Sequence, residues 1–124
     1  MKTEIDTKTC EARKIQDLSE LERLESGSAV LVTMKGSATK PRKMVFNGCR
    51  GGVYEFLEYA IYGCEGSTII GWRGGKSEIE VSEGRVIITR QQDNRMGLYS
   101  RFSKEYEDKI KMLKSAGIGA RGVQ

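Results

Sequence analysis

The stretch "MVFNGCRGGVYEFLEYAIYG", residues 44–63, contains a glycine-rich segment between two apolar runs. Apolar residues of its second half fall at i, i+3, i+4, i+7 and i+8, namely Val53, Phe56, Leu57, Ala60 and Ile61. The acids Glu55 and Glu58 take other positions, and Gly63 suits a helix end. This pattern predicts a strand, a glycine-rich loop and a helix over residues 53–62.

The tripeptide Arg-Gly-Gly occurs at 50–52, at the start of this predicted helix. The first amides of a helix lack partners inside it and attract anions, and glycines at 48, 51 and 52 would let a phosphate approach the backbone. Arg50 would add a charge. The alternative is that the glycines only form a tight entry to the helix while Arg50 is solvated. Neither a P-loop nor a dinucleotide-binding fingerprint is present.

A second Arg-Gly-Gly, residues 73–75, lies in "GWRGGK" between two β-rich runs. It predicts a β-hairpin loop in which Gly74 and Gly75 take positive φ angles. Trp72 precedes Arg73, and two interpretations stay open. An aromatic platform beside a cation suits nucleic acid, whereas period-2 spacing from Ile70 favours a core position.

The other elements follow from shorter patterns. "DLSELERLESG" predicts a helix that Asp17 caps and that ends before Gly27, and apolar spacing predicts a last helix from Tyr99 to Ala116. Five runs predict strands: residues 28–36, 43–48, 67–72, 77–82 and 85–89. The first two form a hairpin, and Glu83-Gly84 marks a tight turn. The order α-β-β-α-β-β-β-α predicts an α+β fold with a small antiparallel or mixed sheet of about five strands and three helices.

The length of 124 residues suits one domain with one core. We predict a loose N-terminal arm over 1–16, a single domain over 17–117 and a flexible tail over 118–124. No apolar run is long enough to span a bilayer and no signal peptide opens the chain. A cytoplasmic protein without a membrane partner is the expectation.

Basic residues are unevenly distributed along the chain, which has a net charge of +4. No acid occurs from Ser26 to Tyr54, a window that contains Lys35, Lys40, Arg42, Lys43 and Arg50. A second basic region contains Arg85, Arg90, Arg95, Arg101 and Lys104. If both regions share a face, they form a positive patch suited to a phosphate backbone. Otherwise they are ordinary solubilising surface.

Catalysis has little support in the composition. Histidine, the commonest general base, is absent. Cys10, Cys49 and Cys64 are odd in number and lack CxxC spacing, which argues against a disulfide framework and a zinc site. Cys49 beside Arg50 at a helix start would be an activated thiol, but no partner base is visible. We predict a protein that is not an enzyme and holds no cofactor or metal.

The sequence therefore favours a small basic module that contacts nucleic-acid phosphates through glycine-rich and Lys/Arg-rich loops. The predicted contacts are Lys40, Arg42, Lys43, Gly48, Arg50, Gly51, Gly52, Arg73, Arg90 and Arg95. The alternative is a protein-interaction or regulatory module, which could form a homodimer. That alternative relies on exposed aromatics, since Tyr54, Tyr59 and Tyr62 crowd one short predicted helix.

Overall fold

A computed structural model describes residues 11–35, 40–59, 69–89, 96–100, 102 and 104–118. The described helices are α1 (Leu18–Glu22), a single 3-10 turn (Lys76–Glu78) and α2 (Tyr106–Ser115). The strands are β1 (Ala29–Met34), β2 (Arg42–Arg50), β3 (Val53–Tyr59), β4 (Ile69–Gly75), β5 (Ile79–Ser82), β6 (Arg85–Ile88) and β7 (Met96–Tyr99).

All seven strands belong to one sheet in the order β5-β6-β1-β2-β3-β4-β7. The β1–β6 pair is parallel and every other pair is antiparallel, so the sheet is mixed. The prediction of an α+β fold is confirmed. Its detail differs, because the described residues form seven strands and two α-helices instead of about five and three.

The sheet curls strongly. Strand β5 is first in the order and β4 is sixth, yet only the turn Lys76–Glu78 joins them. A connection this short brings the β5 edge back to the end of β4. The contact is tight there, since a Cβ on Gly74 would lie 2.9 Å from Cδ1 of Ile79.

Apolar side chains fill both sides of the curled sheet. Phe46, Phe56 and Val32 belong to the inner cluster, against which Leu18 of α1 and Leu24 just after it pack. Val45 and Leu57 belong to an outer cluster that Leu113 of α2 covers. Central strands are therefore buried on both faces, and their sequences do not alternate between polar and apolar residues.

The helix predicted over 53–62 is wrong. Residues Val53–Tyr59 form strand β3, which pairs with β2 and β4. Tyr54 and Phe56 enter the inner cluster while Leu57 and Tyr59 enter the outer one, so apolar residues occupy both faces and mimic helical spacing. Residues 60–62 lie outside the described part of the chain.

Two other boundary predictions are also wrong. Strands β4 and β5 do not pair, so "GWRGGK" is not a hairpin loop; β4 continues through Gly75, which has a φ of −85°. The last helix begins at Tyr106 and not at Tyr99, which is the last residue of strand β7. Phe102, which lies within the span predicted for this helix, is 83% exposed.

Three predictions made from short stretches of sequence are confirmed. The Asp17 side chain caps α1 by accepting a hydrogen bond from the Glu20 amide at 2.8 Å. Strands β1 and β2 form an antiparallel hairpin, and Glu83 (φ 54°) and Gly84 (φ 78°) turn β5 into β6.

Of the predicted N-terminal arm, residues 1–10 lie outside the described chain, while Ile15 is buried and bridges to Gly84. Residues 119–124 of the predicted tail also lie outside it.

Candidate functional site

A cavity of about 390 Å³ opens beside the β2–β3 hairpin. We call it the hairpin cavity, and its lining residues are Asn47, Gly48, Arg50, Val53, Glu55, Arg73 and Tyr99. Strands β2, β3, β4 and β7 each contribute to it. The cavity lies on the outer face of the sheet, because Glu55 lies on the same face of β3 as Leu57 of the outer cluster.

A β-bulge in β2 shapes the cavity wall. Phe46 pairs with Phe56, but Cys49 pairs with Tyr54, so β2 has one extra residue between these pairs. Gly48 lies in this bulge with a φ of 95°, a conformation that side-chain-bearing residues rarely adopt. The bulge leaves Asn47 beside Glu55 on the cavity side.

Glu55 is the centre of a hydrogen-bond network at the base of the cavity. Asn47 Nδ2 donates to Glu55 Oε1 at 2.6 Å. Arg73 Nε and the Tyr99 hydroxyl each donate to Glu55 Oε2 at 2.8 Å. Arg73 Nη2 also donates to the Tyr99 hydroxyl at 3.1 Å, which closes the network. Three strands are thereby tied to one carboxylate on β3.

The network keeps its acid and base ionised. Burial by itself would raise the pKa of Glu55, but hydrogen bonds from Asn47, Arg73 and Tyr99 outweigh burial and lower that pKa. The hydrogen bond to Glu55 raises the pKa of Arg73. Burial, followed by the Glu55 contact, raises the pKa of the Tyr99 hydroxyl, which remains a neutral donor. The cavity base is thus a fixed carboxylate–guanidinium pair.

Two further cations lie around this pair. Arg50 is exposed and makes no side-chain hydrogen bond or ion pair with the described residues. Lys109 of α2 places its Nζ 5.2 Å from the centroid of the Tyr99 ring, a cation–π contact. The lining of the cavity contains two arginines, Arg50 and Arg73, and one acid, Glu55, so the charge of the lining is positive.

The structure brings three of the predicted contact residues together, since Gly48, Arg50 and Arg73 all line the hairpin cavity. Gly51 and Gly52 form the adjacent turn, with φ angles of 58° and 80°. This turn joins two strands, so the predicted helix amides for anion binding do not exist at 53–56.

The remaining predicted contacts are elsewhere. Lys40 is exposed just before β2, and Lys43 lies within β2, at the opposite end of the strand from Arg50. Arg42 belongs to a different network, inside the curled sheet. Arg90 and Arg95 lie outside the described residues, so the second basic region is mostly undescribed.

Arg42 is engaged inside the curled sheet. Its Nε and Nη2 donate to Glu58 Oε1 and Oε2 at 2.9 and 2.8 Å, a bidentate ion pair. Trp72 Nε1 also donates to Glu58 Oε2 at 2.7 Å. The side chains of Arg42 and Glu58 are only 14% and 4% exposed. Arg42 therefore has a structural partner, and Trp72 packs against the inner cluster, as its spacing from Ile70 predicted.

Sequence reasoning missed four polar residues in or beside the cavity: Asn47, Glu55, Tyr99 and Lys109. Asn47-Gly48 is a dipeptide typical of turns and was a usable signal for an irregular backbone. Glu55 had a weaker signal, an acid within a run rich in aromatic residues. Tyr99 had none, because its hydrogen bonds join it to Glu55 and Arg73, which are 44 and 26 positions away in sequence. Lys109 had none either, because its contact depends on how α2 packs beside β7.

The structure also bears on the hypotheses of an activated thiol at Cys49 and of exposed tyrosines. Cys49 is exposed and free but lies in β2, so it has no helix start beside it. Tyr54 and Tyr59 are buried, and they do not supply the exposed aromatic surface that the alternative function required. Tyr62 and Cys64 lie outside the described residues.

No protein-family model, curated protein or solved structure matches the chain. Within the described residues, no helix has the length and apolar character needed to cross a membrane. The same residues contain no group of three or more Cys, Asp or Glu side chains placed to hold a metal ion.

Proposed function

We propose that the protein is a small binding module that contacts nucleic-acid phosphates at the hairpin cavity. One observation carries the proposal: Arg50, a cation without a partner among the described residues, lies at a cavity whose inner arginine is already fixed. A phosphate has several acceptor oxygens, and guanidinium groups bind them through parallel N–H bonds.

The guanidinium of Arg73 is already held in a position from which it can bind a phosphate. An arginine side chain has five N–H donors. Arg73 uses one to reach Glu55 and one to reach Tyr99, and its other donors have no partner in the described part of the chain. Its side chain is 40% exposed, so those donors remain accessible from the cavity. Holding the guanidinium in place beforehand reduces the entropy that a ligand would otherwise have to offset.

Lys40 and Lys43 support a second contact on the same polyanion. Arg50 and Lys43 are seven residues apart on one strand, which corresponds to about 23 Å at the usual rise. One phosphate cannot reach both ends, but consecutive nucleotides of a single strand can. Neither Lys40 nor Lys43 has an ion-pair partner within the segments that the structure describes.

Fluorescence anisotropy with labelled single-stranded oligonucleotides tests the proposal. We expect binding by the wild-type protein at about 50 mM salt that weakens steeply by about 200 mM. Arg50→Ala should weaken binding several-fold and reduce the salt slope by about one. Arg23→Ala is the matched control, because it removes an equal charge beside α1, on the other side of the sheet.

Two results would overturn the proposal. One is the absence of binding to RNA and DNA even at low salt. The other is an Arg50→Ala protein that binds as well as Arg23→Ala, since the hairpin cavity would then make no phosphate contact.

A further inference from the structure

Asn47 holds a fixed orientation in the cavity wall. The residue is 8% exposed, and its Nδ2 donates to Glu55 Oε1 at 2.6 Å. An ionised carboxylate only accepts hydrogen bonds, so the amide nitrogen must be the atom that points at Glu55. The Oδ1 atom of Asn47 therefore points away from Glu55.

This Oδ1 atom has no hydrogen-bond partner among the described residues. In the same part of the chain, Thr33 Oγ1 is the only fully enclosed side-chain oxygen or nitrogen without a partner. Asn47 Oδ1 therefore keeps some access to open space, and the space that Asn47 lines is the hairpin cavity. Because buried polar atoms normally have a hydrogen-bond partner, we expect a ligand in the cavity to donate to this oxygen.

The cavity thus presents two kinds of group to a ligand. Arg50 and Arg73 offer donors to anionic oxygens, and Asn47 offers an acceptor to an O–H or N–H group. The DNA backbone has only acceptors in its phosphates and sugars. The RNA backbone adds one donor per nucleotide, the 2′-hydroxyl, and this group lets proteins distinguish RNA from DNA.

We infer that the hairpin cavity seats a ribonucleotide unit of single-stranded RNA, with its phosphate on Arg50 and Arg73 and its 2′-hydroxyl donating to Asn47 Oδ1. The inference rests on the proposed function and specifies the nucleic acid. The cavity volume of about 390 Å³ lies within the size range of small-ligand sites. DNA would leave Asn47 Oδ1 without a donor at a site that the ligand closes off from water, which weakens binding about tenfold.

The test uses three oligonucleotides of identical length that carry uracil as the only base, so that base donors are the same in all three. Their sugars are ribose, 2′-deoxyribose and 2′-fluororibose. The fluorinated sugar keeps the pucker of RNA but has no hydroxyl proton. We expect the wild-type protein to bind the ribose strand about tenfold more tightly than either of the others.

Glu55→Gln supplies an independent readout on the protein side. The amide oxygen of the new side chain must accept from Arg73 and Tyr99, which directs its NH₂ group at Asn47. Asn47 then turns its own oxygen towards that NH₂ group and its own NH₂ group towards the cavity. We expect the preference for ribose over fluororibose to disappear, whatever the change in overall affinity.

The outcomes separate the two proposals. Absence of binding to all three strands removes both. Binding that depends on Arg50 but is equal for ribose and fluororibose overturns the ribose inference and leaves the phosphate proposal standing. A ribose preference that persists unchanged in folded Glu55→Gln also overturns the role of Asn47 Oδ1.

Discussion

Gly71 of β4 lies directly against the carboxylate of Glu55 on β3. A Cβ atom on residue 71 would overlap Glu55 Oε2, the oxygen that accepts from both Arg73 and Tyr99. The missing side chain is therefore what makes room for the acid. Glycine is needed at position 71 because the Glu55 side chain approaches the backbone closely, and not because the backbone has a positive φ angle.

Gly71→Ala should displace Glu55 and break the network at the cavity base. We expect a loss of about 1–3 kcal/mol in the free energy of unfolding, because the site is overpacked and a buried acid loses hydrogen bonds. Gly75→Ala on the same strand is the control, since its Cβ would meet nothing closer than 3.7 Å. Urea denaturation measures both. Equal stability of the two variants would contradict the close approach.

Arg42→Met tests the ion pair inside the curled sheet. Removing the arginine leaves Glu58 buried without its bidentate partner, which should cost about 3–5 kcal/mol. The comparison is Arg85→Met, which breaks the more exposed pair with Glu83 and should cost less than about 1 kcal/mol. Thermal and urea denaturation report both values. A similar small loss for the two variants would show that Glu58 is compensated by other groups.

The acids Glu55 and Glu58 give the sequence of β3 the pattern of an amphipathic helix. They resemble the polar face of a helix, but in a strand they point to opposite faces. Each is buried, and each is paired with an arginine from a neighbouring strand. Such pairs join residues 16 and 18 positions apart in sequence, so a local pattern does not contain the information.

Elements set by local chemistry could be predicted. The Asp17 cap, the Glu83-Gly84 turn and the run of β1 depend on neighbouring residues, and all are present. The site was predicted only in part. Arg50 and Arg73 were recognisable by their charge, whereas Asn47 acquires its position from a bulge and from pairing with β3. Local sequence patterns do not contain the register in which the strands pair, and that register determines which side chains meet in the site.

The pH dependence of stability should identify Glu55. Its pKa is lowered in the folded protein, so its contribution is complete above the ordinary glutamate pKa of about 4.3 and is lost as the pH falls through the folded value. Glu55→Gln has no such titration. We expect the stability difference between wild type and Glu55→Gln to shrink as urea denaturation is repeated from about pH 7 down to about pH 3. A difference that stays constant over that range would show that the carboxylate is not held ionised by its partners.

Gly48 should be the residue on which the cavity wall depends most. Its φ of 95° is strained for any side chain, and an added Cβ would lie 3.0 Å from Ser26 Oγ. Gly48→Ala should therefore cost about 1–2 kcal/mol and move Asn47, which reduces any discrimination between ribose and fluororibose strands. Gly51→Asn is the control, because asparagine tolerates a φ of 58° and an added Cβ there meets nothing within 4 Å. Denaturation and anisotropy on the two variants measure both effects. If Gly48→Ala matched Gly51→Asn in stability and in oligonucleotide preference, the bulge would not be what positions Asn47.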